Sequence, residues 1–222
     1  MELPITLKAK QIPLKEMMAS YKQDEVRGYC SNCSNYEKNY SCPDFKFNTP
    51  DYLESYKHAT VIMTQVDTDL IKEHFATFKD QVYSSRVYTN YIKHHEEIPY
   101  DWISAISMYA FNEVKDILSD RLLFIEEVFN NSISLPPGSC TRCKTCLKQL
   151  GKACAEPDKL RYSLEALGFL VSDIYKQVFG IELGWTEKEL PASFNSCSVF
   201  LSKEPIDVEQ VISLIGELKL KL

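Results

Sequence analysis

The sequence predicts an α+β fold: a small mixed sheet packed with several helices, with cysteine-bearing loops at one end. Three observations lead there. The run "HATVIMTQV" over 58–66 is β-branched and apolar, the composition of a buried strand. A long segment, about 100–130, repeats Ile103, Ile106, Ala110, Val114, Ile117, Arg121, Phe124 and Val128 at three- and four-residue spacing. All but Arg121 are apolar, which is the stripe of a core-facing helix. Two cysteine groups stand far apart with a strand and two helices between them, which suits the loops of one domain over 1–222.

The elements follow in order. The mixed apolar and Lys-rich start predicts a short strand, then a helix over 14–22. The next stretch, "GYCSNCSNYEKNYSCPDFKFNTPDY", is rich in Asn, Ser and Pro and reads as loop. After the strand at 58–66, Asp67 or Thr68 caps a helix over 69–83. In the long helix, Asp101 falls in the first turn, where a negative charge suits the helix dipole. "NSISLPPGSC" gives a short strand and a Pro-Gly turn that delivers the second cysteine group. Pro157 fits the first turn of a helix over 157–180, bent at Gly168 and stopped at Gly180. A strand over 193–205 and an amphipathic helix over 206–220 close the chain.

Of 222 residues, 45% are apolar and 25% charged, a globular composition. The net charge of −6 argues against a nucleic-acid binder driven by overall charge. No apolar run is long enough to cross a membrane. The N-terminus lacks the apolar core of a secretory signal, so the expected location is cytoplasmic. Thiols stay reduced there, and eight cysteines then point to metal ligation rather than a disulfide framework.

Group one is Cys30-x2-Cys33-x8-Cys42-Pro43, and group two is Cys140-x2-Cys143-x2-Cys146-x7-Cys154. Three cysteines at successive x2 spacing wrap one compact object, as in ferredoxins that hold a [4Fe–4S] cubane. Structural zinc instead draws two C-x2-C pairs from separated knuckles. Group two therefore favours iron–sulfur, with zinc as the alternative and disulfides or unligated thiols behind it. Group one has only three cysteines. It holds a cluster with an open or non-cysteine fourth position, borrows Cys154 or Cys197, or forms half of a zinc knuckle. Seven or eight thiolates approach the need of two four-ligand sites, so two centres, or one large shared site, are the favoured count. Cys197, isolated in the strand-like "FNSCSVFL", reads as a small buried hydrophobe.

Arg142, Lys144, Lys148, Lys152, Lys159 and Arg161 form a basic collar around group two. It suits an acidic redox partner or substrate, or raises a cluster's potential; a solubilising loop is the plain alternative. On the expected helix, Arg161 and Glu165 stand four apart as a structural pair, with Glu165 alternatively a proton donor near the metal. In "KHHEE", His94 and His95 are neighbours whose side chains diverge, so this reads as a solvated polar face. There is no phosphate-binding Gly loop, no H-E-x-x-H, no G-x-S-x-G and no C-x3-C-x2-C run.

"YCSNCSNYEKNYSCP" and "PPGSCTRCKTCLKQLGKACAEPDKLRYSLEALGFLV" together resemble an uncharacterised prokaryotic family of predicted metal-binding proteins. The family pattern pairs an early C-x2-C…C-P with a late C-x2-C-x2-C…C, then an R-x-S-x-E-A-x-G helix. Here that segment carries Arg161, Ser163, Glu165, Ala166 and Gly168. One Pro follows Cys42 where relatives often have two, which alters the turn and not the ligands. The resemblance implies metal ligation by Cys30, Cys33, Cys42, Cys140, Cys143, Cys146 and Cys154, and no reaction. Three functions stay open: an electron-transfer or redox accessory protein, an enzyme with an open iron at group one, and a structural zinc protein.

Overall fold

The computed structural model describes residues 2–33, 35–85, 88–89, 102–183 and 189–221. The strands are β1 (Glu2–Pro13), β2 (His58–Asp67), β3 (Ser132–Leu135), β4 (Ser193–Ser202) and β5 (Leu218–Lys221). They pair in the order β3-β4-β2-β1-β5, antiparallel throughout. The helices are α1 (Leu14–Met17), α2 (Gln23–Ser31), α3 (Thr49–Leu53), α4 (Thr68–Ser84), α5 (Trp102–Val128), α6 (Val171–Phe179) and α7 (Val208–Ile215). The fold is α+β, as the sequence predicts.

The central strands are apolar on both faces, and each face builds a core. Ile62 and Val66 of β2 and Phe200 of β4 face α4, α5 and α7. Their alternates Ala59, Val61, Met63, Cys197, Val199 and Leu201 face Met17, Phe169, Ile174 and Tyr175. The cysteine loops border this second face. Asp67 caps α4, its carboxylate accepting from the backbone N–H of Asp69 at 2.8 Å.

Several elements depart from the expected ones. In α5 the buried row is Ile106, Ala110, Val114, Leu118, Leu122 and Ile125. Arg121, Phe124 and Val128, expected on the stripe, are exposed. The row advances mostly by four, along a ridge inclined to the helix axis, so it leaves a strictly axial stripe by the last turns. Residues 14–22 give α1 and a 3₁₀ turn over Met18–Ser20. The segment expected as loop contains α2, with Asp24 and Glu25 in its first turn and Cys30 near its end. Gly216, at φ +68°, ends α7, and Leu218 and Leu220 then alternate with lysines as β5, where the sequence suggested helix to 220. "KHHEE" and Asp101 lie outside the described residues.

The largest departure is at 157–168, where the expected helix is absent. A 3₁₀ turn spans Pro157–Lys159, and an isolated bridge joins Phe169 to Tyr21. Gly168 has φ +93°, a conformation that favours glycine. Its carbonyl accepts from the N–H of Lys22 at 2.9 Å, and the N–H of Leu170 donates to Ser20 at 2.9 Å. The turn thus clasps the entry to α2, the helix that carries Cys30.

A Cβ on Gly168 would stand 3.0 Å from Cε2 of Tyr21 and 3.1 Å from Cα of Gln23. Gly168→Ala is therefore expected to lower unfolding free energy by about 1–3 kcal/mol in denaturant titration. An unchanged midpoint would show that this close approach carries no constraint.

Candidate metal centre

Group one sits on successive turns. Cys30 is near the end of α2, and the N–H of Cys33 donates to its carbonyl at 2.9 Å. The chain doubles back so that the N–H of Glu37 reaches the Pro43 carbonyl at 2.8 Å. The N–H of Cys42 donates to Asn39 at 3.0 Å. Burial pushes the Cys42 thiol up to about 11; Ser41 and Lys148 oppose the shift, and the charges of Cys33 and Cys30 add to it. Burial likewise raises Cys30, against the pull of Arg27 and with added pressure from Glu165 and Cys33. The three thiols therefore lie within electrostatic reach of one another. Cys33 is exposed, and the other two are half-buried.

Group two leaves β3 through Pro136, Pro137 and Gly138, whose φ is +65°. This loop runs along α5. The Thr141 hydroxyl donates to Asp116, and Arg142 bridges Asp120 at 3.0 Å and Glu156 at 2.6 Å. Cys146 precedes a 3₁₀ turn over Leu147–Leu150, which Gly151 ends in the left-handed region. Burial raises the Cys140 thiol; the Arg142 N–H and the charges of Lys115 and Arg142 work against it, and Cys143 works with it.

Polar contacts stitch the two loops together. The Asn39 amide donates to the Cys140 carbonyl at 2.9 Å, and the Cys140 N–H donates to the Ser41 hydroxyl at 2.8 Å. Asn39 also accepts from the N–H and hydroxyl of Ser41. The Tyr40 hydroxyl donates to Lys152, Lys148 donates to Asn39, and Asn35 donates to Ser139. Asn39 and Ser41 are buried, which is unusual for polar loop residues. Sequence spacing gave no sign of them, because their partner is a backbone and not a side chain.

All eight cysteines are free thiols. Among the described residues, no three Cys, His, Asp or Glu side chains stand close enough to hold one metal ion. The structure thus brings the two loops together and leaves the sulfurs unconverged. Cys197 is apart from the loops, buried in the second core.

Arg161 does not pair with Glu165, because the helix that would align them is absent. It forms an ion pair with Glu126 of α5, both side chains largely shielded, and donates to the carbonyls of Asp158 and Leu160 at 2.8 Å. Glu126 also accepts from the N–H of Ser134 at 2.7 Å. One carboxylate so joins α5, β3 and the 160s turn. Ser163 accepts from the N–H of Ala166 at 3.2 Å and shapes that turn. The Glu165 carbonyl faces the Cys30 sulfur at 3.9 Å. Its side chain is open to solvent on the wall of a cleft, with protein crowded behind it. That desolvation raises its carboxyl, against hydrogen bonds from its own N–H and Ser163.

Of the basic collar, Arg142 and Arg161 are spent on internal ion pairs, and Lys159 stands 3.9 Å from Glu156. Lys144 and Lys152 are exposed, with no ion pair among the described residues. Among those residues no helix is long and apolar enough to cross a membrane.

The family model described as "Predicted metal-binding protein (DUF2284)" matches residues 11–201. The chain belongs to that family. No curated protein and no solved structure matches it.

Asn39→Ala removes the bond to Cys140 and strips the buried Ser41 hydroxyl of its acceptor. We expect a loss of about 1–3 kcal/mol in thermal or denaturant unfolding, together with weaker metal retention at both cysteine groups. Wild-type stability and metal content would show that the loops are held by other means.

Proposed function

We propose that this chain holds one or two [4Fe–4S] clusters and serves in electron transfer or as a redox accessory protein. The observation that supports it most is the joining of two cysteine loops, remote in sequence, through the backbone of Cys140. The donor set suits such a group: seven free thiols, six half-buried and Cys33 exposed, with no carboxylate required. Cys140, Cys143, Cys146 and Cys154 would hold one cluster, and Cys30, Cys33 and Cys42 a second. When bound, a cubane supplies one-electron transfer at a potential set by its surroundings.

The chain's own residues set those surroundings. The Arg142 N–H points at the Cys140 sulfur, and the Ser41 hydroxyl lies 3.9 Å from the Cys42 sulfur. Lys148 and Lys115 place positive charge near Cys42 and Cys140. Donors and cations at sulfur favour the more negative state. Each thiol must lose its proton to ligate, and the raised values of Cys30, Cys42 and Cys140 make binding release protons.

A second reading, an enzyme with an open iron at group one, draws on a specific feature: Cys30 and Cys33 lie on the wall of the cleft. Structural zinc is the alternative that metal analysis separates. The collar suits an acidic redox partner chiefly through Lys144 and Lys152, the two lysines not committed to internal pairs.

Anaerobic purification should give a brown protein with about four iron and four sulfide per cluster. Replacing Cys140, Cys143 or Cys146 by Ser should each remove one cluster's worth. Zinc without sulfide would overturn the iron reading, and unchanged metal in all three variants would overturn the group-two assignment.

Lys144→Glu with Lys152→Glu should slow reduction by an anionic donor protein about tenfold at low salt, the gap closing as ionic strength rises. Equal rates at low salt would remove the collar as a docking site.

A further inference from the structure

Cys30 and Cys33 lie on the wall of a cleft of about 840 Å³. That volume is in the range of small-molecule sites. The cleft lies between α2, the 160s turn, α6 and the first half of β4, and Phe111 of α5 and Pro137 add to its wall. Phe111, Phe169, Phe194 and Tyr29 make much of it aromatic. Its ionisable oxygens are the carboxyls of Glu25 and Glu165 and the phenols of Tyr29 and Tyr175. Among the described lining residues there is no Lys, Arg or His. Arg27, which bears on Cys30, is off the lining and pairs with Asp44 at 3.4 Å.

The β4 rim adds a polar edge of Ser193, Asn195 and Ser196. The Asn195 amide donates to Ser193 at 3.1 Å, and its buried Oδ1 has no donor. A buried acceptor without a donor is a costly arrangement unless something else supplies an N–H or O–H. An anion entering here would meet two carboxyls and no cation, and would lose hydration without compensation.

We propose that this cleft binds a small organic molecule with an aromatic or apolar body and a hydrogen-bond-donating head, uncharged or ammonium, met by Glu165 and the polar β4 rim. The cleft itself stands on its lining; only the placing of that ligand beside a metal rests on the function proposed above. A molecule seated there has Cys30 and Cys33 at its flank, which is where a ligand must lie to meet group one.

The test uses the full chain, purified anaerobically, and three naphthalene probes that differ only in the head group: CH₂NH₃⁺, CH₂OH and COO⁻. Calorimetry or ligand-observed NMR is expected to show saturable one-to-one binding of the amine and the alcohol, with the carboxylate at least tenfold weaker. Glu165→Gln should narrow the gap between amine and alcohol. Ser172→Phe, which adds bulk at the lining, should weaken all the probes while circular dichroism and melting temperature report an intact fold. The proposal fails if the carboxylate binds as well as the amine, if no probe saturates, or if a folded Ser172→Phe protein binds like wild type. Iron and sulfide are counted in the same sample. Probe binding with no metal overturns the metal reading alone; a filled centre with no saturable binding overturns the cleft alone.

Discussion

Two hydrogen bonds to the backbone of Cys140, from Asn39 and to Ser41, hold the two cysteine loops in register. The rest of the site depends on them. Each loop's own backbone bonds close only local turns and do not join one loop to the other. Ordering such a segment costs conformational entropy at every residue. Buried amide and hydroxyl groups join the loops instead, because once inside they are expensive to leave unpaired. Asn39 serves both sides: its carbonyl oxygen accepts twice from Ser41, and its amide reaches across to the other loop. A side chain of this shape can join two backbones where a purely apolar one cannot.

The 160s turn is the second anchor, and it explains the sequence pattern around Arg161 better than a helix does. Arg161 ties the exit of group two to α5 and β3 through Glu126. Ser163 closes the turn, and Glu165 presents its carbonyl to Cys30 and its side chain to the cleft. Gly168 allows the chain to press on Tyr21 and Gln23. Arg161, Glu165 and Gly168 are spaced as one face of a helix would space them, yet each does a separate task in an irregular segment. The sequence suggested an Arg161–Glu165 pair because i,i+4 spacing is ambiguous when Gly168 and the clasp on α2 override local propensity.

The central strand β2 was legible because its run is β-branched and apolar throughout, as a strand buried on both faces requires. The α4 cap was legible because Asp67 precedes an amphipathic run. The cysteine groups stand out in the sequence because residue type and spacing carry chemistry directly, and the structure brings their two loops together. What escaped the sequence shares one cause: it depends on partners far away in the chain. The slanted row of α5 follows the surface it packs on, and β5 exists because β1 offers an edge after Gly216. The roles of Asn39, Ser41 and Glu126 follow from where Cys140, Ser134 and Arg161 arrive. No local window of sequence holds that information.

Cys197 shows why spacing, rather than residue type, marks the site. It is a thiol like the other seven, but it sits mid-strand, buried, with Val199 and Leu201 on the same face. Burial, with the nearby Glu165, raises it well above the ordinary thiol range, so it behaves as an apolar side chain. Cys30 and Cys140 are raised less and are only half-buried, which leaves deprotonation within reach of a metal's pull. Yet Cys197 also lies on the cleft that Cys30 and Cys33 line. One concavity therefore has a deeply buried thiol set in the sheet on one side and two more accessible thiols on the loop side. That difference in exposure orients the cleft, so that whatever enters meets accessible sulfur chiefly from the loop side.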